Sequence, residues 1–528
     1  MKKEKQMTAP PGADASFNRP RNWNWKSIDW VALRQQVRRL QVRIAKASQL
    51  GKHRRASALQ WLLTHSRAAR LLAVWRVTTN RGAKTPGVDN VLWRTDRQKF
   101  QAADNLKRHG YRPKPLRRLY IPKKNGKLRP LSIPTLHDRA MQALHALALA
   151  PVAETGADPN SYGFREGRSC ADALEHIHIV LSKKHSPQWV LEGDIRACFD
   201  QISHSWLLQH VPMDKQILRK WLNAGYWEKG LLFPTSTGTP QGGIISPILA
   251  NIALDGMQKV ARQAARPKGD KVNFVRYADD FIVTGATQEL LEQKIKPALT
   301  AFLTPRGLEL SEQKTVITHI DKGFNFLGHT VRKFGDKLLT APAKSNLQNL
   351  LDKIRLCIHS ALGLNQEVLL RQLNPIIRGW ANYYRHGASK RTFKRLDHFV
   401  FWQLWRWAKQ RHPHKSATWK QRKYFSAGPQ KGLFSVRLTK EKGKSQVLAL
   451  YLAASTKIKR HIKIRGAANP YDPQYTRYFE QRRRLGGTLR LGKESVPTPP
   501  TPAPTRIVAH WLQFAAACPH QEVPVGEA

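Results

Sequence analysis

The chain has 528 residues and carries 90 Lys+Arg against 36 Asp+Glu, a formal charge of +54. About two to eight units keep a small domain soluble, so this excess calls for a polyanion, with nucleic acid first among the candidates. Four unpaired, scattered cysteines exclude a disulfide scaffold and a paired-cysteine zinc site, and the longest weakly polar run, 141–153, is too short to cross a bilayer. Residues 1–22, rich in Lys, Pro, Gly, Ala and Ser without periodicity, are expected to be disordered and lack the apolar stretch of a signal peptide. The spacing of Trp30, Leu33, Val37, Leu40 and Ile44 predicts a helix starting near Ser27 with one apolar stripe. Arg34, Arg38, Arg39 and Lys46 occupy its other faces, and residues 1–60 hold 14 Lys+Arg against three acids, which favours contact with phosphates.

From about 110 to 335, short β-like runs (116–122, 189–195, 273–284, 324–331) alternate with helical stretches, predicting an α+β core. From 340 to 425 the periodicity is helical, with much Trp, Tyr and Arg. Residues 426–480 are mixed and basic, and a Pro-rich linker follows around 497–504. No internal repeat is visible.

The acids carry the chemistry. Asp279 and Asp280 stand between two apolar β-runs in Tyr277-Ala278-Asp279-Asp280-Phe281. A hairpin turn is the plain explanation, because Asp favours turns. A second apolar strand, 189–195, also ends in a carboxylate, Asp194. Two strands with Asp at their polar ends can gather three carboxylates, which cations must neutralise. Hard oxygen donors suit Mg²⁺, and two such ions suit in-line phosphoryl transfer, so a polymerase or a nuclease is expected.

These motifs, in this order, resemble reverse transcriptases, and in particular the proteins encoded within bacterial group II introns, over about residues 25–484. The resemblance implies a right-hand polymerase, with fingers and palm built on antiparallel sheet, followed by a helical thumb or maturase domain. It assigns Asp194, Asp279 and Asp280 as catalytic residues and ligands of two Mg²⁺ ions. Within Ile121-Pro122-Lys123-Lys124-Asn125-Gly126-Lys127-Leu128-Arg129, it gives Lys123 and Arg129 to the incoming triphosphate. Ser161-Tyr162-Gly163-Phe164-Arg165 is similar to a motif making template and sugar contacts. Phe199 falls at the gate that excludes a 2′-hydroxyl, Gln241 in the Pro240-Gln241-Gly242-Gly243 loop is a nucleotide contact, and Lys314 lies near the triphosphate. Phe326-Leu327-Gly328 resembles the primer-grip turn.

The intron-specific part rests on the flanks. The basic N-terminal helix, with Arg34 and Arg38, resembles the extension that binds RNA. The stretch from Leu373 to Tyr384, with Arg378, Trp380, Tyr383 and Tyr384, and then Lys415, resembles the maturase domain. Residues 371–425 hold 14 Lys+Arg and one acid, so cations can follow phosphates while rings stack on unpaired bases. Trp402, Trp405 and Trp407 are in part ordinary core. The segments implied are a disordered 1–22, an extension 23–90, fingers and palm 91–335, thumb 336–425, a basic DNA-binding-like region 426–485 and a degenerate tail 486–528. Cys518 has Gln521 where a second metal-binding Cys would be needed, so the terminal endonuclease of many relatives is expected to be lost.

The implied function is an RNA-directed DNA polymerase and maturase that binds its intron RNA, promotes splicing and copies the intron during mobility. Its partners are that RNA, a DNA target and primer, and dNTPs, without a membrane. A homodimer is left open, and a cytoplasmic, nucleoid-associated location is expected. A splicing-only maturase, or a reverse transcriptase of another system such as defence, are the alternatives.

Overall fold

In a computed structural model the structure describes residues 24–122, 126, 128–428, 432–439 and 445–485. They fall into two compact units, the chain up to Thr155 with Leu208–Ile248, and Gly156–Leu207 with the chain from Leu249 onward.

The first unit opens with helices. Asp29 caps the helix Trp30–Gln49 by accepting from the backbone N–H of Val31 and Ala32, so the helix starts three residues later than its apolar period predicts. Val37 and Ile44 of the predicted stripe are buried, and Arg34 is exposed. Helices His53–His65 and Arg67–Thr78 pack beside it. Strands Leu116–Pro122 and Leu128–Ile133 form an antiparallel hairpin, and a second hairpin, Tyr226–Glu228 with Leu231–Phe233, extends its sheet. The core helix Leu136–Gly156 is buried along most of its length and contains His145, 7% exposed and edge-on to Trp221 at 5.4 Å.

Burial pushes the His145 imidazole down to about 4 from its ordinary 6.5. The neutral ring is therefore the folded form, and the unfolded chain binds the extra proton. Stability from this site is complete above pH 6.5 and is lost as pH falls toward 4. His145→Gln should flatten the acid limb of the stability profile by about 1–3 kcal/mol between pH 7 and 4. Thermal melts of both proteins across that range check this, and parallel profiles would contradict it.

The second unit is built on a four-stranded antiparallel sheet. Strand Trp189–Asp194 lies between Asp280–Gly285 and Val316–His319, with Asn273–Tyr277 outside Asp280–Gly285. Val190, Leu191, Phe274, Phe281, Ile282 and Val283 are all buried, so residues on both faces of the sheet are covered. This is why the sequence runs apolar without alternating. Phe274 and Phe281 stack at 5.7 Å and 20°, and burying each ring stabilises by about 1.5–3 kcal/mol. Strands Phe324–Phe326, His329–Phe334 and Lys337–Pro342 make a second antiparallel sheet. The single predicted run 324–331 is broken at Leu327-Gly328, where both residues have positive φ.

Helices Lys344–Ser360, Gln366–Tyr384, Lys390–Arg411 and Ala417–Phe425 follow, as their periodicity predicts, around one core of Leu, Ile, Phe and Trp407. Mixed helix and antiparallel sheet make the fold α+β. Among the described residues, no helix is long and apolar enough to cross a membrane.

Candidate active site

The run 273–284 is a hairpin whose turn contains Ala278 and Asp279. Ala278 sits at φ 59, a left-handed conformation that costs an L-residue about 1–2 kcal/mol and persists only when its surroundings hold it. One source of constraint is Gly163. A Cβ there would lie 2.3 Å from the Ala278 nitrogen, so the backbone of the Ser161–Arg165 motif passes directly against the turn. Tyr162 N–H donates to the Arg276 carbonyl at 2.8 Å, and Arg276 N–H donates to Asn160 at 3.0 Å.

Asp194 ends the central strand and pairs in register with Asp280 on the neighbouring strand. Asp279, adjacent in sequence, completes the group. The Asp280 carboxyl is pushed up to about 7, by burial first and then by the charges of Asp279 and Asp194, against the pull of Lys314. Asp280 nevertheless reaches solvent, so the neighbouring charges are the part of this shift that a bound cation would reverse. Lys314 donates to Asp194 Oδ2 at 2.8 Å, and this bond raises the lysine's pKa. Among the described residues, no group of three or more His, Cys, Asp or Glu side chains is arranged to hold a metal ion. Like charges repel, and Lys314 takes an oxygen of Asp194. The donor chemistry still fits a divalent ion: all three are hard carboxylate oxygens, at the ends of paired strands.

Phe199 lies on the short helix Cys198–Gln201, edge-on to Phe164 at 6.2 Å. In the first unit, Arg129 Nε donates to Gln241 Oε1 at 2.6 Å, so two residues read independently as nucleotide contacts are bonded to each other. Lys123 lies outside the described residues.

The turn Phe326-Leu327-Gly328 is fixed from the helical domain. Tyr383 donates its hydroxyl proton to the Leu327 carbonyl at 2.9 Å, and Tyr384 donates to Gly328 at 3.0 Å. Tyr384 is buried, while Tyr383 is half-buried. Tyr384 is 2% exposed, and Trp380 packs on Tyr384 and Phe393, because the apolar face of this helix is also its core face. Trp407 is core and Trp402 is exposed. Arg378 and Lys415 remain on the surface, over the rings of Tyr451 (4.8 Å) and Trp419 (5.7 Å), and Arg34 lies over Trp75 at 4.7 Å. Arg38 is half-buried.

Part of the basic region 426–485 has an internal use. Asp172, fully buried, accepts from His461 Nε2 at 3.0 Å, from Ile464 N–H at 2.7 Å and from Arg482. Ile464 and Ala468 join the core beside Tyr162, Val275 and Ile282. Cys518 and Gln521 lie outside the described residues.

Paired acidic strand ends on an antiparallel sheet, a cation at their side and a helical domain gripping the adjoining turn define a nucleic-acid polymerase palm. Comparison with known proteins agrees. Residues 121–331 match the model of reverse transcriptase (RNA-dependent DNA polymerase), 25–106 the N-terminal domain of reverse transcriptase, and 347–425 the group II intron maturase-specific domain. The chain is 34% identical to Protein YkfC of Escherichia coli strain K12 over 48% of its own length and 78% of that protein's. It is 29% identical to the group II intron-encoded protein LtrA of Lactococcus lactis subsp. cremoris over 62% and 70% of the two chains. A 91 kDa protein in the cob intron of Schizosaccharomyces pombe is 29% identical over 56% of this chain and 46% of its own. The chain belongs to the group II intron-encoded reverse transcriptases that carry a maturase domain. It is an RNA-directed DNA polymerase with maturase function in intron splicing and mobility.

Proposed function

We propose that the chain extends a DNA primer with dNTPs on its own intron RNA, using Asp194, Asp279 and Asp280 as the catalytic carboxylates. The observation that carries this reading is the register pairing of Asp194 with Asp280 beside the Asp279 turn. Two Mg²⁺ ions held by these carboxylates would activate the primer 3′-hydroxyl and neutralise the departing pyrophosphate. Lys314 stays protonated beside Asp194 and is the candidate proton donor to pyrophosphate. Phe199, braced by Phe164, stands as the ring that excludes a 2′-hydroxyl. Arg129 and Gln241, with Lys123, receive the triphosphate, and the Phe326-Leu327-Gly328 turn holds the primer end.

Arg34, Arg38, Arg378 and Lys415 follow RNA phosphates on the extension and thumb. The segments 23–90, 91–335 and 336–425 serve as extension, fingers with palm, and thumb. Residues 426–485 combine the internal Asp172 anchor with an exposed basic surface for target DNA. Work in the cytoplasm on nucleoid DNA follows from these partners, and assembly as a homodimer is compatible with them.

Primer extension on an RNA template, with and without Mg²⁺, alongside splicing of the intron RNA, tests the reading. Extension independent of divalent metal would overturn it, and splicing without extension would leave the splicing-only alternative. Binding to intron RNA should also weaken with salt, by about 0.7–0.9 logarithmic units per phosphate contact for each tenfold rise. Filter binding between low and high salt measures the slope, and a flat profile would remove the phosphate contacts.

A further inference from the structure

Arg276 is 0% exposed, three residues before Asp279, in a strand where it follows the apolar Phe274 and Val275. A guanidinium in that position needs partners, and it has three. Nη2 pairs with Asp255 Oδ1 at 2.5 Å. Nη1 donates to Asn251 Oδ1 at 3.1 Å and to the Ala278 carbonyl at 3.3 Å. Asn251 in turn donates from Nδ2 to the Gly163 carbonyl at 2.9 Å. Gly163 is the residue whose backbone lies against Ala278. The two arms of this network therefore meet on the same left-handed turn, one from Ala278 itself and one from the Gly163 segment against it.

Asp255 is anchored in its own right. Its Oδ1 also accepts from Asp158 N–H at 3.2 Å, while Asp158 Oδ2 accepts from Gly256 and Gln258 N–H at 3.0 and 3.2 Å. Burial pushes the Asp255 carboxyl up to about 6 against the pull of Arg276. A buried ion pair is weak support for stability, since apolar residues of similar volume often do as well. What an apolar replacement could not do is fork between a carboxylate, an amide and the carbonyl of the strained residue.

We infer that Arg276 and Asn251 are positioning residues that hold the Ala278 turn, and through it the carboxylates of Asp279 and Asp280, in the geometry the reaction uses. The inference rests on the catalytic assignment of those two carboxylates. Arg276→Lys can keep a charge near Asp255 but cannot reach all three partners. Asn251→Ala leaves the ion pair intact and releases Gly163.

Both variants should lower kcat for dNTP addition by about 10–100-fold, the scale of a misplaced catalytic group. The dNTP KM, the RNA–DNA duplex Kd and the midpoint of thermal unfolding should stay near wild type for Asn251→Ala. Rates are taken per active site from a burst titration, so that a smaller folded fraction of either variant does not imitate the effect. Wild-type turnover per titrated site in both variants would overturn the inference and leave the network a matter of packing. Absence of extension by the wild type would instead remove the assignment beneath it.

Discussion

Asp279→Ala should abolish RNA-templated primer extension, by about three orders of magnitude or more, while binding of intron RNA changes little. The size follows from charge. A carboxylate that holds a divalent ion supports several kcal/mol of charge stabilisation in phosphoryl transfer, and about 1.4 kcal/mol is tenfold in rate. The fold should survive, because Asp279 lies in a turn and is partly open to solvent rather than packed in the core. Removing it also relieves Asp280 of one of the like charges crowding it. The measurements are dNTP incorporation on an RNA template and splicing of the intron RNA, each beside the isosteric Asp279→Asn. Lost extension with splicing retained separates the two functions on one chain. Equal extension by wild type and variant would sink the catalytic assignment.

Gly163→Ala should also be damaging, though less so, through shape rather than charge. An added Cβ would meet the Ala278 nitrogen at 2.3 Å, and the next nearest atoms, at 3.0 Å, are backbone as well. No flexible side chain stands there to move aside, so either the Ser161–Arg165 segment or the Ala278 turn must shift. Overpacking of this kind costs about 1–3 kcal/mol of stability. A shift of the turn by a fraction of an ångström to one ångström costs about 10–100-fold in rate. Thermal unfolding and single-turnover extension together read both effects. Wild-type rates would mean that the turn tolerates displacement, and would weaken the positioning role given to Asn251 and Arg276.

Much of the site was legible in the sequence because its signals are local. Asp194, Asp279 and Asp280 interrupt apolar strands, where carboxylates have no structural reason to be. Lys314 and Phe199 were found through motif order, and the structure brings Lys314 to Asp194. Arg276 was overlooked, although a charge inside Phe274-Val275-Arg276-Tyr277 carried the same kind of signal as the acids. The positions of Tyr383 and Tyr384 are ambiguous in sequence, because an aromatic ring on an amphipathic helix reads alike whether it faces a base or the core. Their hydroxyls end on the carbonyls of Leu327 and Gly328, 56 residues away in sequence.

By itself the sequence determined the charge, the helical and strand periods, the acidic strand ends and the order of the motifs, since each is set by neighbours within a few residues. Only the tertiary structure decided which cations are free to meet nucleic acid and which are bound within the protein. Arg482 reaches Asp172 across 310 residues, and Arg276 is buried beside the Ala278 turn. Burial and partnership are properties of contacts between distant segments, and composition cannot rank them. The +54 charge that marks this chain as a partner of polyanions is thus partly internal. Some of it is bound inside the second unit, beside the Ala278 turn and at Asp172, and the exposed remainder is left for nucleic acid.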